Sequence, residues 1–499
     1  MENRYTPEVL HNKAAAAAQA GRLIEAKAML REALSLQPKN VSVLVDIARV
    51  CADRKDHETA ILMAKRALRL APDEANALMI LAESFRQTDR FREAMEYYIR
   101  LRKVAPHMPM LDHCMAIALT ALHRYDEAGI HFRAATLKSE HAVLTKWEYS
   151  HYLLRLGHWE DGWDGYAARF EAGDFSNVRR YDFGMPDWNG EPLGEKTIFI
   201  HGEQGLGDQM MFASIIPELQ REGAKVVLAC AFELVDLFSD TFPNVPVYGI
   251  LHQAEASQWI SALPQIDYQI PIGNLAVLRR RTDESYTRNP FIKTDPERVQ
   301  RMGELLDNLA PQWQERERRP LRVGLMWASN PALFDWSAAR RSRRKTIPPD
   351  LLGRLHELDN VLWVSLQSRQ SGNQAALVPF MDIIDCSESL NTIADTAALI
   401  EHLDVVVTVD TSVAHLAGGM GKRCFVMLAQ DADWRWMVDR SDSIWYESMR
   451  LVRQRRENDW SHVIDEISTQ LRTMSGGTEE IAVIRGETEA PRRRLVPAK

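Results

Sequence analysis

The segment Gly202-Glu-Gln-Gly205-Leu-Gly207-Asp208 places a carboxylate inside a glycine-rich turn. It follows the apolar run 197–201 and precedes a helical pattern that we predict over 208–222. Backbone N–H groups at a helix start are unpaired and positively polarised, so they suit an anion or a substrate oxygen. The turn matches neither GxGxxG nor a Walker loop, since no Lys-Ser/Thr follows Gly207. Asp208 is either a helix cap or a general base, and the pattern alone leaves both open.

A second turn of this kind carries hydroxyl residues and a histidine. Asp410-Thr411-Ser412-Val-Ala-His415 follows the apolar run 404–409 and begins another predicted helix. The free N–H groups there, with the hydroxyls of Thr411 and Ser412, suit a diphosphate. Capping of the helix by Thr411 or Ser412 is the simpler interpretation and is compatible with it. His415 is placed either to reach a ligand or to fill a structural position.

Cations follow a third strand, which we expect to end at the same edge of the sheet. The run 321–327 leads through Asn330 to five basic residues, Arg340, Arg341, Arg343, Arg344 and Lys345. Such a run is typical of a solvated loop, but beside a cleft it would neutralise phosphate. Asp431-Ala-Asp433 looks like a metal-binding DxD motif; lacking further ligands nearby, we interpret it as a loop feature and predict no metal.

Two blocks of alternating strand and helix carry these turns. The predicted strands are apolar runs at 197–201, 225–230 and 268–272, then at 321–327, 361–366, 404–409 and 423–428. Apolar strands without polar alternation indicate parallel sheets that are covered on both faces. With a charged connector over 279–319, the pattern predicts two Rossmann-like domains facing one another across a cleft.

The first third of the chain repeats every 34 residues. The repeated positions include small residues at Ala26, Ala60, Ala94 and Ala128, bulkier ones at Leu23, His57, Phe91 and Tyr125, and prolines at Pro38, Pro72 and Pro106. Small residues let paired helices approach closely, and proline ends the second helix. Trp159 and Gly162 continue the register in a decayed unit, where Arg169 replaces a small residue as a capping repeat allows.

Composition excludes several classes of protein. The 499 residues include 61 Lys and Arg against 69 Asp and Glu, for a net charge of −8, which disfavours a nucleic-acid partner. Five scattered cysteines are typical of reduced, buried thiols. Charges near the N-terminus and the absence of a long apolar run predict no signal peptide and no membrane span. We therefore expect a cytoplasmic protein.

The repeat pattern resembles tetratricopeptide repeats (TPR), and the later motifs resemble the catalytic part of bacterial TPR glycosyltransferases. The matching segments are HGEQGLGDQMMFASIIPEL, VGLMWASNP, RRKTIP, DTAALIEHLDVVVTVDTSVAHLAG and DWRWMVDRSDSIWYESMRLVRQ. This part is similar to glycosyltransferase family 9, the heptosyltransferases, which have the GT-B fold and generally need no metal. The overall plan also resembles O-linked N-acetylglucosamine transferase and some flagellin glycosyltransferases.

The resemblance implies a fold class of α followed by α/β, a TPR solenoid joined to a GT-B glycosyltransferase. The implied domains are a solenoid at 1–175, an acceptor-side domain at 176–315, a donor-side domain at 316–475 and a mobile tail at 476–499. Asp208 matches the family's proposed base. Asp410, Thr411 and His415 match its Asp-Thr-Gly-x-x-His donor motif, in which Ser412 replaces the glycine; Lys345 and Asn330 fall near its donor-binding positions, and Gly205 and Gly207 belong to its first turn.

These matches predict sugar transfer from a nucleotide-sugar, used as substrate without a cofactor, to an acceptor hydroxyl. We expect the acceptor to be a protein held by the repeats, with Asn12, Arg49, Arg86 and His123 as candidate groove residues. Two alternatives stay open: a lipid or polysaccharide acceptor, or a non-enzymatic scaffold with an inactive GT-B domain. The sequence does not identify the sugar, the nucleotide or the acceptor. It also does not determine the stereochemical outcome or the oligomeric state.

Overall fold

A computed structural model describes residues 5–138, 142–173, 178–250, 263, 265–313, 318–329, 336–368 and 375–476. The chain divides between Glu148 and Tyr149 into two compact units. Asn330 and the predicted tail beyond Gly476 lie outside the described residues. Among the described residues, every helix is too short or too polar to traverse a bilayer.

The first unit consists of consecutive helix pairs. Its helices are α1 Pro7–Gln19, α2 Leu23–Leu36, α3 Val41–Asp53, α4 His57–Leu70, α5 Ala75–Gln87, α6 Phe91–Val104, α7 Leu111–Ala121 and α8 Tyr125–Thr136, followed by the first part of α9 Ala142–Arg155. The second helices begin at the repeated positions Leu23, His57, Phe91 and Tyr125, so the step of 34 is confirmed. The four repeated alanines are fully buried, which gives the helices of a pair their close approach.

The turn inside each helix pair has one left-handed residue at a fixed place. The positions are Gly21, Lys55, Asp89 and His123, with φ between +60° and +73°. They too are 34 residues apart, although only the first is a glycine. His123, predicted as a groove residue, therefore lies in a turn and not on a helix.

Two of the other three candidate groove residues form local ion pairs. Arg49 lies 3.1 Å from the Asp46 carboxylate. The Nε of Arg86 donates to Glu83 Oε2 at 2.9 Å, and the Tyr98 hydroxyl donates to the same oxygen at 2.9 Å. Arg86 is thus part of a network within the repeats, whereas Asn12 is exposed on α1.

Replacing Lys55 with glycine is expected to stabilise the repeats by about 0.5–1 kcal/mol. A left-handed conformation costs a residue with a Cβ about 1–2 kcal/mol, and the greater freedom of glycine in the unfolded chain offsets part of the gain. Thermal unfolding followed by the circular dichroism of the helices measures the change. Lys55→Ala, which keeps the Cβ, is the matched control; an equal gain in this variant would contradict the strain argument.

The second unit begins with the end of α9 and contains two parallel sheets. In the first, the strands are β1 Thr197–His201, β2 Lys225–Cys230, β3 Val247–Gly249 and β4 Tyr268–Pro271, in the order β3-β2-β1-β4. The helices of this part are α10 Trp159–Tyr166, α11 Leu206–Ala213, α12 Ile216–Arg221, α13 Val235–Thr241, α14 Ile272–Arg279 and α15 Pro296–Leu309.

The second sheet has six parallel strands in the order β10-β9-β8-β5-β6-β7. They are β5 Leu321–Met326, β6 Val361–Ser365, β7 Ile383–Asp385, β8 Val405–Val409, β9 Cys424–Leu428 and β10 Met449–Arg453. The helices are α16 Trp336–Lys345, α17 Gly353–His356, α18 Ile393–Glu401, α19 Ser412–Gly419 and α20 Ser461–Gly476. Each of the seven predicted strands is present within one residue of its predicted ends, so the parallel-sheet α/β prediction is confirmed.

The structure corrects two details of the prediction and adds elements that were not predicted. The helix expected over 208–222 is two helices, α11 and α12, because Pro217 cannot continue the first. The connector 279–319 contains α15, whose buried side is small. The basic run ending at Lys345 lies on α16 and not in a loop. Strands β3, β7 and β10 were not predicted. The predicted domain boundaries stay predictions.

Candidate functional site

Sheet topology places both turns where parallel sheets bind ligands. In the second sheet the chain adds strands to one side from β5 to β7 and to the other side from β8 to β10, so the order reverses between β5 and β8. In the first sheet the order reverses between β1 and β4. Ligands of such sheets bind outside the carboxyl ends of the strands at that change of direction. The glycine-rich turn follows β1, and Asp410-Thr411 follows β8, so each lies at its sheet's favoured position.

The two turns lie against one another through Gly207 and His415. A Cβ built on Gly207 would lie 2.7 Å from His415 Cδ2, closer than real side chains allow. Glycine is therefore required here by packing, because α11 of the first sheet and α19 of the second approach at this point. The structure thus brings Gly205, Gly207 and Asp208 close to His415.

Asp208 both caps its helix and forms an ion pair. The Gly205 backbone N–H donates to Asp208 Oδ2 at 3.0 Å, which confirms the capping role. The other carboxylate oxygen pairs with Arg435. Arg435 also lies 2.6 Å from Asp433 and packs over the Trp434 ring, 4.5 Å from its centroid. The guanidinium thus joins two carboxylates, and only one of them was singled out as a candidate from the sequence.

The start of α19 keeps its N–H groups free of a side-chain cap. Thr411 occupies the cap position, but its hydroxyl donates to Met326 Sδ at 3.4 Å and lies 3.2 Å from Thr408 Oγ1. Capping by the Thr411 side chain is therefore wrong. Lys345 lies 2.6 Å from the carboxylate of Asp410. Lys345, the Asp410 carboxylate and the start of α19 at Thr411 and Ser412 therefore lie together.

His415 is buried between the two turns and a set of aromatic rings. Its Nδ1 lies 3.1 Å from the Tyr446 hydroxyl, and its ring stacks on Trp436 with centroids 5.1 Å apart. Burial lowers the pKa of His415 from 6.5 to about 4, despite the carboxylates of Asp208 and Asp410. The imidazole is therefore neutral at physiological pH, so it can accept or donate one hydrogen bond but adds no charge for a diphosphate.

Arg169 is a buried residue that contacts the glycine-rich turn through Glu203. It is fully buried, and its guanidinium donates to both oxygens of Glu203, at 3.0 and 2.6 Å. It also donates to Asn274 Oδ1 at 2.6 Å, while the Gly273 N–H donates to Glu203 Oε1 at 3.1 Å. From the sequence, Arg169 in place of a small residue was interpreted as decay of a repeat. In the structure, its buried side chain contacts the turn.

The carboxylates of Asp431-Ala-Asp433 are both paired with arginines. Asp431 pairs with Arg155 and lies 3.3 Å from Arg344. Burial raises the pKa of Asp433, but Arg435 and Lys345 lower it more, so its pKa lies below the usual range. Within the described part of the chain, no group of three or more His, Cys, Asp or Glu side chains is arranged to hold a metal ion.

Three buried histidines make the stability of the second unit depend on pH. Burial lowers the pKa of His151 and of His201 to about 3, and that of His415 to about 4, against 6.5 when exposed. The unfolded chain therefore binds protons below pH 6.5 that the folded chain rejects, and stability falls as pH drops from 6.5 towards 4. Each histidine contributes up to about 1.4 kcal/mol per pH unit.

Replacing His201 with phenylalanine is expected to remove one such contribution. His201 packs among aromatic rings, with Phe183 at 5.2 Å and Tyr181 at 6.0 Å between centroids, so another ring suits the position. Urea unfolding at pH 5, 6 and 7 measures the slope. His356→Phe at an exposed position is the control; a slope unchanged by His201→Phe would contradict a neutral buried imidazole.

Family models match the first part of the chain, and one relative is similar to nearly the whole of it. A family model described as "Tetratricopeptide repeat" matches residues 17–83, and one described as "Anaphase-promoting complex, cyclosome, subunit 3" matches residues 53–135. The N-terminal region contains tetratricopeptide repeats. The chain is also similar to Protein FlbA of Caulobacter vibrioides, with 27% identity over 483 residues, covering 93% of this chain and 72% of that protein.

Solved structures with a likeness to this chain include repeat proteins of low identity. MamA AMB-1 is 19% identical, covering 27% of this chain and 79% of that one, with a TM-score of 0.26. YrrB, titled a TPR protein with an unusual peptide-binding site, is 16% identical, covering 34% and 89%, with a TM-score of 0.30. TTC0263 of Thermus thermophilus is 17% identical, covering 34% and 92%, with a TM-score of 0.29.

Proposed function

We propose that the second unit is a glycosyltransferase of the GT-B type that moves a sugar from a nucleotide-sugar to an acceptor hydroxyl. One observation carries the proposal: Asp208 lies close to the start of α19, which has no side-chain cap. Asp208 follows β1 of the first sheet, and α19 follows β8 of the second. A carboxylate and an anion-binding helix start are the two parts that such a transfer requires.

In the proposed reaction the donor diphosphate lies over the start of α19. The acceptor oxygen attacks the anomeric carbon and forms the new glycosidic bond, while Asp208 takes the hydroxyl proton. The bond between that carbon and the diphosphate breaks, and its electron pair leaves with the diphosphate. The N–H groups of α19, the Thr411 and Ser412 hydroxyls and Lys345 offset the charge of the leaving group, so the proposal needs no metal.

The ion pairs of the site suggest what donor binding changes. Arg435 forms ion pairs with Asp208 and Asp433, and Lys345 forms one with Asp410. A diphosphate is a strong acceptor for the same cations. In the proposed mechanism its arrival draws them from their carboxylates, so that Asp208 is released to act as the base once the donor is bound.

A donor screen tests this proposal. Purified full-length protein is titrated with UDP-, GDP-, CMP- and ADP-sugars by calorimetry and thermal shift, with and without EDTA. We expect one nucleotide class to bind irrespective of EDTA, and Lys345→Gln to weaken it about tenfold or more, because a charge-assisted hydrogen bond is worth about 1.5–3 kcal/mol. Arg354→Gln, at an exposed arginine, is the matched control. If no donor binds, the scaffold interpretation replaces the enzyme.

We further propose that the acceptor is a protein segment bound by the repeats. Such repeat units commonly present surfaces that hold peptides. Removing residues 1–140 is then expected to abolish modification of the protein acceptor while leaving donor hydrolysis. Donor binding by the shortened chain verifies that the second unit is still folded. Unchanged acceptor kinetics in the shortened chain would contradict this role and favour a lipid or polysaccharide acceptor.

A further inference from the structure

A cavity of about 290 Å³ lies at the amino-terminal ends of β9 and β10. Its wall includes Cys424 and Met449, the first residues of those strands, with Phe425 and Pro290. All strands of this sheet are parallel, so the edge at which they begin is opposite to the edge from which α19 starts. The cavity is therefore separate from the candidate glycosyl-transfer site.

Three arginines line the cavity, and one of them is uncompensated. Arg288 lies 3.2 Å from Asp442, and Arg450 lies 3.0 Å from Glu466. The guanidinium of Arg423 has no hydrogen-bond or ion-pair partner in the part of the chain that the structure describes, although its backbone carbonyl accepts from the Val406 N–H. The lining also includes the carboxylate of Glu447, which is exposed.

Two further polar atoms of the lining are buried without a partner. Ser448 Oγ and Arg450 Nε are inaccessible to solvent and form no hydrogen bond with the described residues. Buried polar atoms of folded proteins are nearly always paired, so an unpaired one needs an explanation. The Ser448 hydroxyl, once its side chain turns towards the cavity, and the guanidinium of Arg423, which has no carboxylate partner, form a set of donors that an oxyanion would satisfy.

We propose that this cavity binds a small molecule in which a carboxylate or phosphate is joined to an apolar body. Its volume is at the lower end of ligand sites, which are about 300–1,000 Å³, so the body is about the size of one ring. The oxyanion contacts Arg423 and Ser448, because arginine and hydroxyl donors match its geometry. The body lies against Pro290, the exposed apolar residue of the lining. This inference does not depend on the proposed glycosyl transfer.

Calorimetry on the full-length protein with three ring compounds tests the proposal. Benzoate and phenyl phosphate carry the two kinds of oxyanion, and benzyl alcohol is the neutral control. We expect at least one oxyanion to bind one site about tenfold or more tightly than benzyl alcohol, and Arg423→Gln to remove that difference. The preferred compound tells whether the site takes a carboxylate or a phosphate.

Two matched variants distinguish this cavity from other binding. Arg472→Gln, at an exposed arginine of α20, and Lys345→Gln, in the candidate donor site, are expected to leave the oxyanion affinity unchanged. Ser448→Ala is expected to weaken it severalfold and guards against misfolding of the arginine variant. Loss of binding in Lys345→Gln but not in Arg423→Gln, or no preference for either oxyanion over benzyl alcohol, would overturn the proposal.

Discussion

Replacing Asp208 with asparagine is expected to lower turnover at least about a hundredfold. A positioned group that takes a proton in the transition state contributes about 10²–10⁴-fold, and an amide cannot take it. The fold is expected to survive, because an asparagine oxygen can still accept the Gly205 N–H that caps α11. Steady-state turnover with the donor found in the screen, together with the melting temperature, measures both effects.

Two further measurements show whether the loss of turnover is specific to Asp208. Asp350→Asn, at an exposed carboxylate that also begins a helical segment, is the matched control and is expected to be active. Donor affinity in Asp208→Asn is expected to be retained or improved, because Arg435 loses one of its two carboxylates. Turnover near that of the wild type in a folded Asp208→Asn would remove Asp208 from the mechanism.

Replacing Arg169 with methionine is expected to destabilise the second unit by about 3–5 kcal/mol. The change leaves the Glu203 carboxylate buried without its cation, and removal of one partner of a buried pair costs about that much. Urea unfolding followed by tryptophan fluorescence measures it. Of the thirteen tryptophans, only Trp147 precedes the boundary of the second unit, so the signal reports mainly on that unit.

A second substitution separates the buried charge from the lost packing. Adding Glu203→Gln to Arg169→Met removes the orphaned charge and keeps an oxygen for the Gly273 N–H, so we expect more than half of the loss to be recovered. Arg281→Met, which removes an exposed pair with Asp164, is the control and is expected to cost at most about 1 kcal/mol. A double variant no more stable than Arg169→Met would show that packing dominates.

The parts of the fold that sequence patterns predicted are those fixed by local repetition or by continuous apolar runs. The start of each second helix follows from the 34-residue step, and central strands such as β8 are apolar throughout because both faces are covered. The strands not predicted are β3 and β7, each three residues long, and β10, whose arginines at 450 and 453 interrupt the apolar run. Short or partly polar edge strands leave little periodicity to detect.

The position of the candidate site could be predicted because the topology of the sheets determines it. Parallel strands end at one edge, so the turns at Asp208 and Thr411 were expected at ligand-binding positions before any side chain was placed. Arg435 was not singled out, since its contact with Asp208 spans more than two hundred residues of sequence. The Arg169–Glu203 pair was missed because burial of an arginine depends on three-dimensional packing, and the sequence around it carries only the repeat register.

Release of nucleoside diphosphate tests the central claim most directly. The full-length protein is incubated with the donor that it binds, with and without EDTA, and the diphosphate is quantified over time beside Asp208→Asn. Glycosyl transfer predicts release in the wild type that is insensitive to EDTA and at least about a hundredfold slower in Asp208→Asn. Binding of a donor without any release, or release at equal rates in both proteins, would contradict a catalytic site built on Asp208.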